Sequence, residues 1–257
     1  MRFPVWRRQL GGMFGTPKCP VSDEARAWLE GGMERLVALF GEDVLRAAPV
    51  VLTTRDFFPD EWNSPEEAVE LLLRRVCALL HIPRERVELE TEWAVEAIPA
   101  KFGIKPPEGD YAGLYVTEAE TGRERVVIKL YRGADPVSIV AVLAHELCHV
   151  LLLGDRKIGR EVEDGEPLTD LLCVFMGFGI VCANAVFRWS QFSDSGGHGW
   201  AMRRQGYLSE AELAYALALW TRRRGESKPA WPKHLSANVR AYFDRSVRYL
   251  EWRDKRA

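Results

Sequence analysis

The 257-residue sequence lacks several features that would place a chain quickly. Its five cysteines (Cys19, Cys77, Cys148, Cys173 and Cys182) are odd in number, widely spread and without a CxxC pair, which argues against a disulfide framework. Cys77, Cys148 and Cys173 lie in apolar stretches, where cysteine behaves as a small hydrophobe. A reducing, cytoplasmic compartment is therefore expected. Neither sign of charge dominates: 35 Lys and Arg face 37 Asp and Glu, and the sequence pI is about 6.3. That balance argues against an obligate nucleic-acid binder and against a polybasic membrane protein. The opening MRFPVWRRQLGGMFG has no continuous apolar core and no small-residue cleavage site, so it does not read as a secretory leader. Internal repeats and low-complexity tracts are also missing.

One stretch tests the expectation that no membrane is involved. Leu171 to Phe187 carries no charge over seventeen residues. A membrane span needs about twenty, and Gly177, Gly179 and Asn184 interrupt this one. A helix buried on all sides is the expected outcome. Charge is uneven only at the end, where eleven Lys and Arg from Arg222 onward face Glu226, Asp244, Glu251 and Asp254. A solvated helix face is the reading that such a block favours.

Periodicity and punctuation place the elements. A helix is expected from about Ser22 to Phe40, closed by Gly41, followed by a short strand over Val50 to Thr54. Ser64, Pro65 and Glu67 form an N-terminal helix signature for a helix ending near His81. Arg86 to Thr91 alternates as a strand, and Ala100 to Asp110 is rich in Pro and Gly, as a linker or surface loop would be. A hairpin follows, with arms Gly113 to Glu118 and Arg125 to Tyr131. Asp135 and Pro136 open a helix that closes at Gly154, and a charged loop to Gly165 leads to a helix starting at Pro167. Two tail helices are expected, from about Ser209 to Arg224 and Leu235 to Trp252.

The chemistry is carried by His145-Glu146-Leu147-Cys148-His149, an HExxH pattern. Residues four apart share a helix face, so both imidazoles can reach one metal ion. Glu146 is rotated by about 100° from His145, close enough to act on a water at the metal without being a ligand. Zinc lowers the pKa of such a water, and Glu146 can take its proton and pass it to a leaving amine. A catalytic zinc needs a third protein ligand. Glu166-Pro167-Leu168-Thr169-Asp170 offers two carboxylates, also four apart; one can bind the metal while the other holds a ligating histidine through its free ring N–H. His198, in the Gly-rich SDSGGHGW stretch, and Tyr207 shortly after it are candidate donors to a tetrahedral oxyanion. His81 and His234 have no partner in sequence and read as structural or solvated.

HELCH followed by EPLTD resembles the gluzincin class of zinc metallopeptidases, whose pattern is HExxH, a connection, then ExxxD. The resemblance covers roughly residues 113 to 187. It implies one zinc ion held by His145, His149 and Glu166, with Glu146 as general base and Asp170 behind the ligands. The connection here is short and Pro167 follows the proposed ligand directly, which leaves Glu163 or Asp170 as other third ligands. The implied fold is α+β and zincin-like: a small sheet with the hairpin packed on the HExxH helix, and a helical C-terminal part. Residues 1–257 are expected to form one catalytic unit, with 1–100 an N-terminal α/β region of unknown role and 101–257 the metallopeptidase-like region. In such peptidases a strand near the active-site helix pairs with extended substrate, and Arg125 to Tyr131 is the candidate. The expected activity is zinc-dependent hydrolysis of a protein or peptide substrate. The alternative is a regulatory or binding protein of the same fold, with little activity or activity that needs a protein partner. No nucleic-acid partner is expected.

Overall fold

The computed structural model describes residues 16–93, 113–117, 124–130, 135–194 and 208–256. Within them the chain forms helices α1 (Asp23–Phe40), α2 (Glu42–Ala47) and α3 (Pro65–Leu79), then strands β1 (Val87–Trp93), β2 (Gly113–Thr117) and β3 (Glu124–Leu130). Helices α4 (Pro136–His149), α5 (Gly165–Phe175), α6 (Gly179–Asp194), α7 (Glu210–Arg223) and α8 (Ala237–Asp254) follow. A small mixed sheet among helices is compatible with the α+β expectation.

Helix starts are set locally. Ser22, Ser64, Asp135 and Ser209 each accept a backbone N–H of the first turn, and Ser209 with Glu212 completes a capping box. Helix ends depend on backbone conformation. After α3, His81 takes φ 56° and Ile82 donates its N–H to Cys77, a Schellman ending with a histidine where glycine is usual.

The same device corrects the expectation of one continuous helix across Leu171 to Phe187. Gly177 has φ 92°, and the N–H groups of Gly177 and Phe178 bond back to Val174 and Cys173 at 3.0 and 2.8 Å. That ends α5 at Phe175, and the chain restarts as α6 at Gly179. The Pro49 carbonyl lies where a Cβ on residue 177 would stand, so glycine is required there sterically as well as conformationally. Val50 to Thr54 is not a strand, because Val51 spends its N–H on the Gly177 carbonyl rather than on a neighbouring strand. Helix α5 also begins two residues earlier than expected, at Gly165, which places Glu166 inside the first turn.

The sheet order is β1-β3-β2, with β1 parallel and β2 antiparallel to the central β3. This corrects the expectation that Arg125 to Tyr131 presents an edge to substrate, since β3 is paired on both sides. Among the described residues the outer strands are β1 and β2, and β2 packs on α4. The Ala100–Asp110 loop and the hairpin turn lie outside the described residues.

Helix α4 is buried almost throughout, from Ile139 to His149, and continues as a π-turn over Val150–Gly154. Together these 19 residues are long and apolar enough to cross a membrane, but 78% of that window is buried inside the protein. Such burial is what the central helix of a packed core requires. Residues 16–93 contribute to the same core: α1 packs on α5 and α7, α3 on α4, and β1 pairs with β3. At the tail, Arg222 pairs with Asp254 at 2.7 Å, Arg224 with Glu226 at 2.6 Å and Arg253 with Glu30 at 2.5 Å. Part of the basic block is thus paired with acidic side chains. All five cysteines are free thiols.

Candidate metal centre

Helices α4 and α5 bring the polar residues together. His145 and His149 project from one face of α4 with ring centroids 4.8 Å apart and planes at 82°. Glu166, in the first turn of α5, faces both of them. Its Oε2 lies 3.2 Å from His145 Nε2 and 3.6 Å from His149 Nε2. Donor atoms of these three residues all fall within 4.8 Å of one another, close enough to share an ion. Glu163 is exposed in the turn before α5 and is not part of this convergence.

The other ring nitrogens fix the tautomers. His145 Nδ1 lies 2.8 Å from Asp170 Oδ1, an acceptor, so Nδ1 carries the proton. Asp170 Oδ2 accepts the backbone N–H of Leu208 at 2.9 Å, which holds the carboxylate in place. The Thr169 hydroxyl donates to the Gly165 carbonyl at 2.8 Å. Its oxygen therefore meets His149 Nδ1, 3.3 Å away, as an acceptor, and His149 is also protonated at Nδ1. Both Nε2 lone pairs are left directed towards a carboxylate oxygen. Lone pairs facing lone pairs are repulsive unless a proton or a cation sits between them, so this donor set fits a bound divalent cation. Without one, a proton serves. Burial opposes charge on His145, but hydrogen bonds to Asp170 and Glu166 outweigh it and raise the imidazole pKa well above its ordinary value. In that protonated state His145, with His149 beside it, holds the Glu166 carboxyl well below the usual carboxylate range.

Local structure supports this placement. Asp164, just before α5, spends its carboxylate on Trp28 Nε1 and Arg35 Nη1 of α1, at 3.1 and 3.3 Å, rather than on capping the helix. Pro167 needs no donor in the first turn, and Glu166 meets the positive end of the α5 dipole. Glu146 is buried against β2, where a Cβ on Gly113 would come within 2.8 Å of its Oε1.

The residues 145, 146, 149, 166 and 170 picked out from the sequence thus lie in one neighbourhood. His198 and Tyr207 lie outside the described residues, although Leu208, next in sequence to Tyr207, bonds directly to Asp170. Sequence reasoning missed Thr169, Tyr115 and Glu124. Thr169 had one usable signal, a hydroxyl residue in an apolar helix directly before Asp170. No family model matches the chain, and no curated protein or solved structure does either.

Proposed function

We propose that this chain is a zinc-dependent peptidase. The observation that carries the reading is the convergence of His145 Nε2, His149 Nε2 and Glu166 Oε2, while Asp170 and Thr169 occupy the other ring nitrogens. Three protein ligands of imidazole and carboxylate type leave a position open, the pattern of catalytic rather than structural zinc. Two imidazoles and one carboxylate also suit ferrous iron. Glu146, a carboxylate next to a ligand but not one itself, favours hydrolysis.

Bound there, zinc supplies Lewis acidity, which polarises a carbonyl and makes water a stronger acid. Glu146 takes the proton of the attacking water at its carboxylate and delivers it to the departing amine. Asp170 and Thr169 keep both imidazoles in the tautomer that can ligate. An extended substrate fits the free edge that β2 presents among the described residues, since edge addition satisfies the backbone of any unfolded segment. Gly113 supports this placement, because its missing side chain lets β2 approach Glu146.

Cleavage of an unfolded protein by zinc-loaded wild type and by Glu146→Gln tests the reading. Cleavage by wild type, reduced at least about 100-fold in the variant, supports it. Equal cleavage by both contradicts it, as does iron in place of zinc in the purified protein.

A further inference from the structure

The two imidazoles are not held equally. His145 Nδ1 leans on a charged acceptor, Asp170, at 2.8 Å, whereas the partner of His149 Nδ1 among the described residues is the neutral Thr169 hydroxyl at 3.3 Å. Charge-assisted hydrogen bonds are shorter and roughly twice as strong as neutral ones, so Thr169 alone is a weak hold on ring orientation. A second constraint comes from β2. The Tyr115 ring lies nearly parallel to His149, with centroids 6.2 Å apart and planes 9° from parallel. The Tyr115 hydroxyl donates to Glu124 Oε1 at 2.8 Å. Arg86 grips the same carboxylate through Nη2 at 3.1 Å and through Nε, and its Nη1 pairs with Asp155 at 2.8 Å. Gly154, closing the π-turn that follows His149, has Glu124 Oε1 where a Cβ would stand, so the carboxylate reaches this place only over a glycine.

Glu124 is only 7% exposed. A buried ion pair is often no better for stability than packed apolar side chains of the same volume, and fixing geometry is a role such pairs serve in some proteins. We infer that Tyr115, held through Glu124 by Arg86, is the positioning residue for His149, and so couples the segment before β1 to metal affinity. This inference rests on the metal-binding reading above.

The test is zinc affinity, by competition with a chromogenic chelator, and the visible spectrum of the cobalt(II) form, for wild type, Tyr115→Leu and Tyr115→Phe. Tyr115→Leu is expected to weaken zinc by at least about tenfold and to shift the cobalt bands, as loss of a group orienting a ligand does. Tyr115→Phe keeps the ring but cuts its tie to Glu124, and its zinc affinity is expected to fall between those of wild type and Tyr115→Leu. Wild-type affinity and an unchanged cobalt spectrum in folded Tyr115→Leu would overturn the inference, because a merely structural role lowers the melting temperature and leaves both readouts alone. If Tyr115→Leu does not fold, Glu124→Gln takes its place, with weakened zinc supporting the inference and unchanged zinc overturning it. If wild type takes up no metal, the functional reading fails by itself. The His149 ring signals of the metal-free protein then decide: sharp in wild type and exchange-broadened in Tyr115→Leu supports positioning by Tyr115, and equal line shapes overturn it.

Discussion

Glu30 of α1 and Glu166 of α5 are both carboxylates set between helices, yet their surroundings differ in kind. Glu30 accepts the Tyr215 hydroxyl and Arg253 Nη1, each at 2.5 Å, and Arg26 bonds Tyr249 beside them. Burial works against its charge, but these donors prevail and lower its pKa. The cation there is an arginine, which does not lose its proton. Glu166 faces two imidazoles, side chains that can give up a proton, unlike arginine. One cluster carries its own permanent cation; the other has a titratable one that a metal ion can displace. A polar network that joins helices is thus not by itself a site. The mark of a site is convergent lone pairs whose partners on the other side are already committed.

Substitutions that separate the two clusters sharpen this contrast. The largest effect is expected for His145→Ala, which removes a donor and should abolish stoichiometric zinc uptake, read by metal analysis after gel filtration. Asp170→Asn leaves the ligands in place but weakens the hold on Nδ1 of His145, and zinc affinity should fall by about 10- to 100-fold in a chelator competition.

Mild acid should act on the imidazole cluster alone, because the lowered pKa of Glu30 keeps that carboxylate charged until more acidic pH. In the metal-free protein the His145 pKa is raised and that of Glu166 lowered, so their ion pair is intact between those two values. The raised histidine contributes stability that is full below its unfolded pKa and lost as pH rises through the folded one. The lowered carboxylate contributes stability present above its unfolded pKa and lost as pH falls through the folded one. Zinc must displace the imidazole proton, so its affinity should fall by about tenfold per unit as pH drops below the His145 value, measured by competition at several pH values. Equal zinc affinity across that range would break the comparison.

Glu30→Ala should do the opposite of the site variants: a loss of about 1–3 kcal/mol in urea unfolding, with zinc affinity unchanged. The smallest effect is expected at Cys77. Burial pushes its thiol up to about 11, and its labelling by a thiol reagent should stay negligible at neutral pH unless the protein unfolds.

Much of this was legible in the sequence because it is local. Ser22, Ser64, Asp135 and Ser209 announce their helices by capping chemistry that involves only the next few residues. The spacings within HELCH and EPLTD each place two residues on one helix face, and the structure packs those helices together. What escaped depends on contacts between distant segments. The parallel pairing of β1 with β3 leaves no trace in alternation, and it moved the edge of the sheet from β3 to β2. The break at Gly177 sits in a run that composition alone reads as one helix, and its cause is partly the Pro49 carbonyl, far away in sequence. Tyr115 and Glu124 carry no motif; only the fold brings one beside His149 and the other beneath Gly154.

The most direct test of a zinc centre is calorimetric titration of zinc into the metal-free chain, repeated in buffers of different ionisation heat. The expected result is one ion per chain with release of about one proton at neutral pH, as the displaced His145 proton requires. A folded protein that takes up no zinc, or that takes it up equally well as Glu166→Ala, would contradict it.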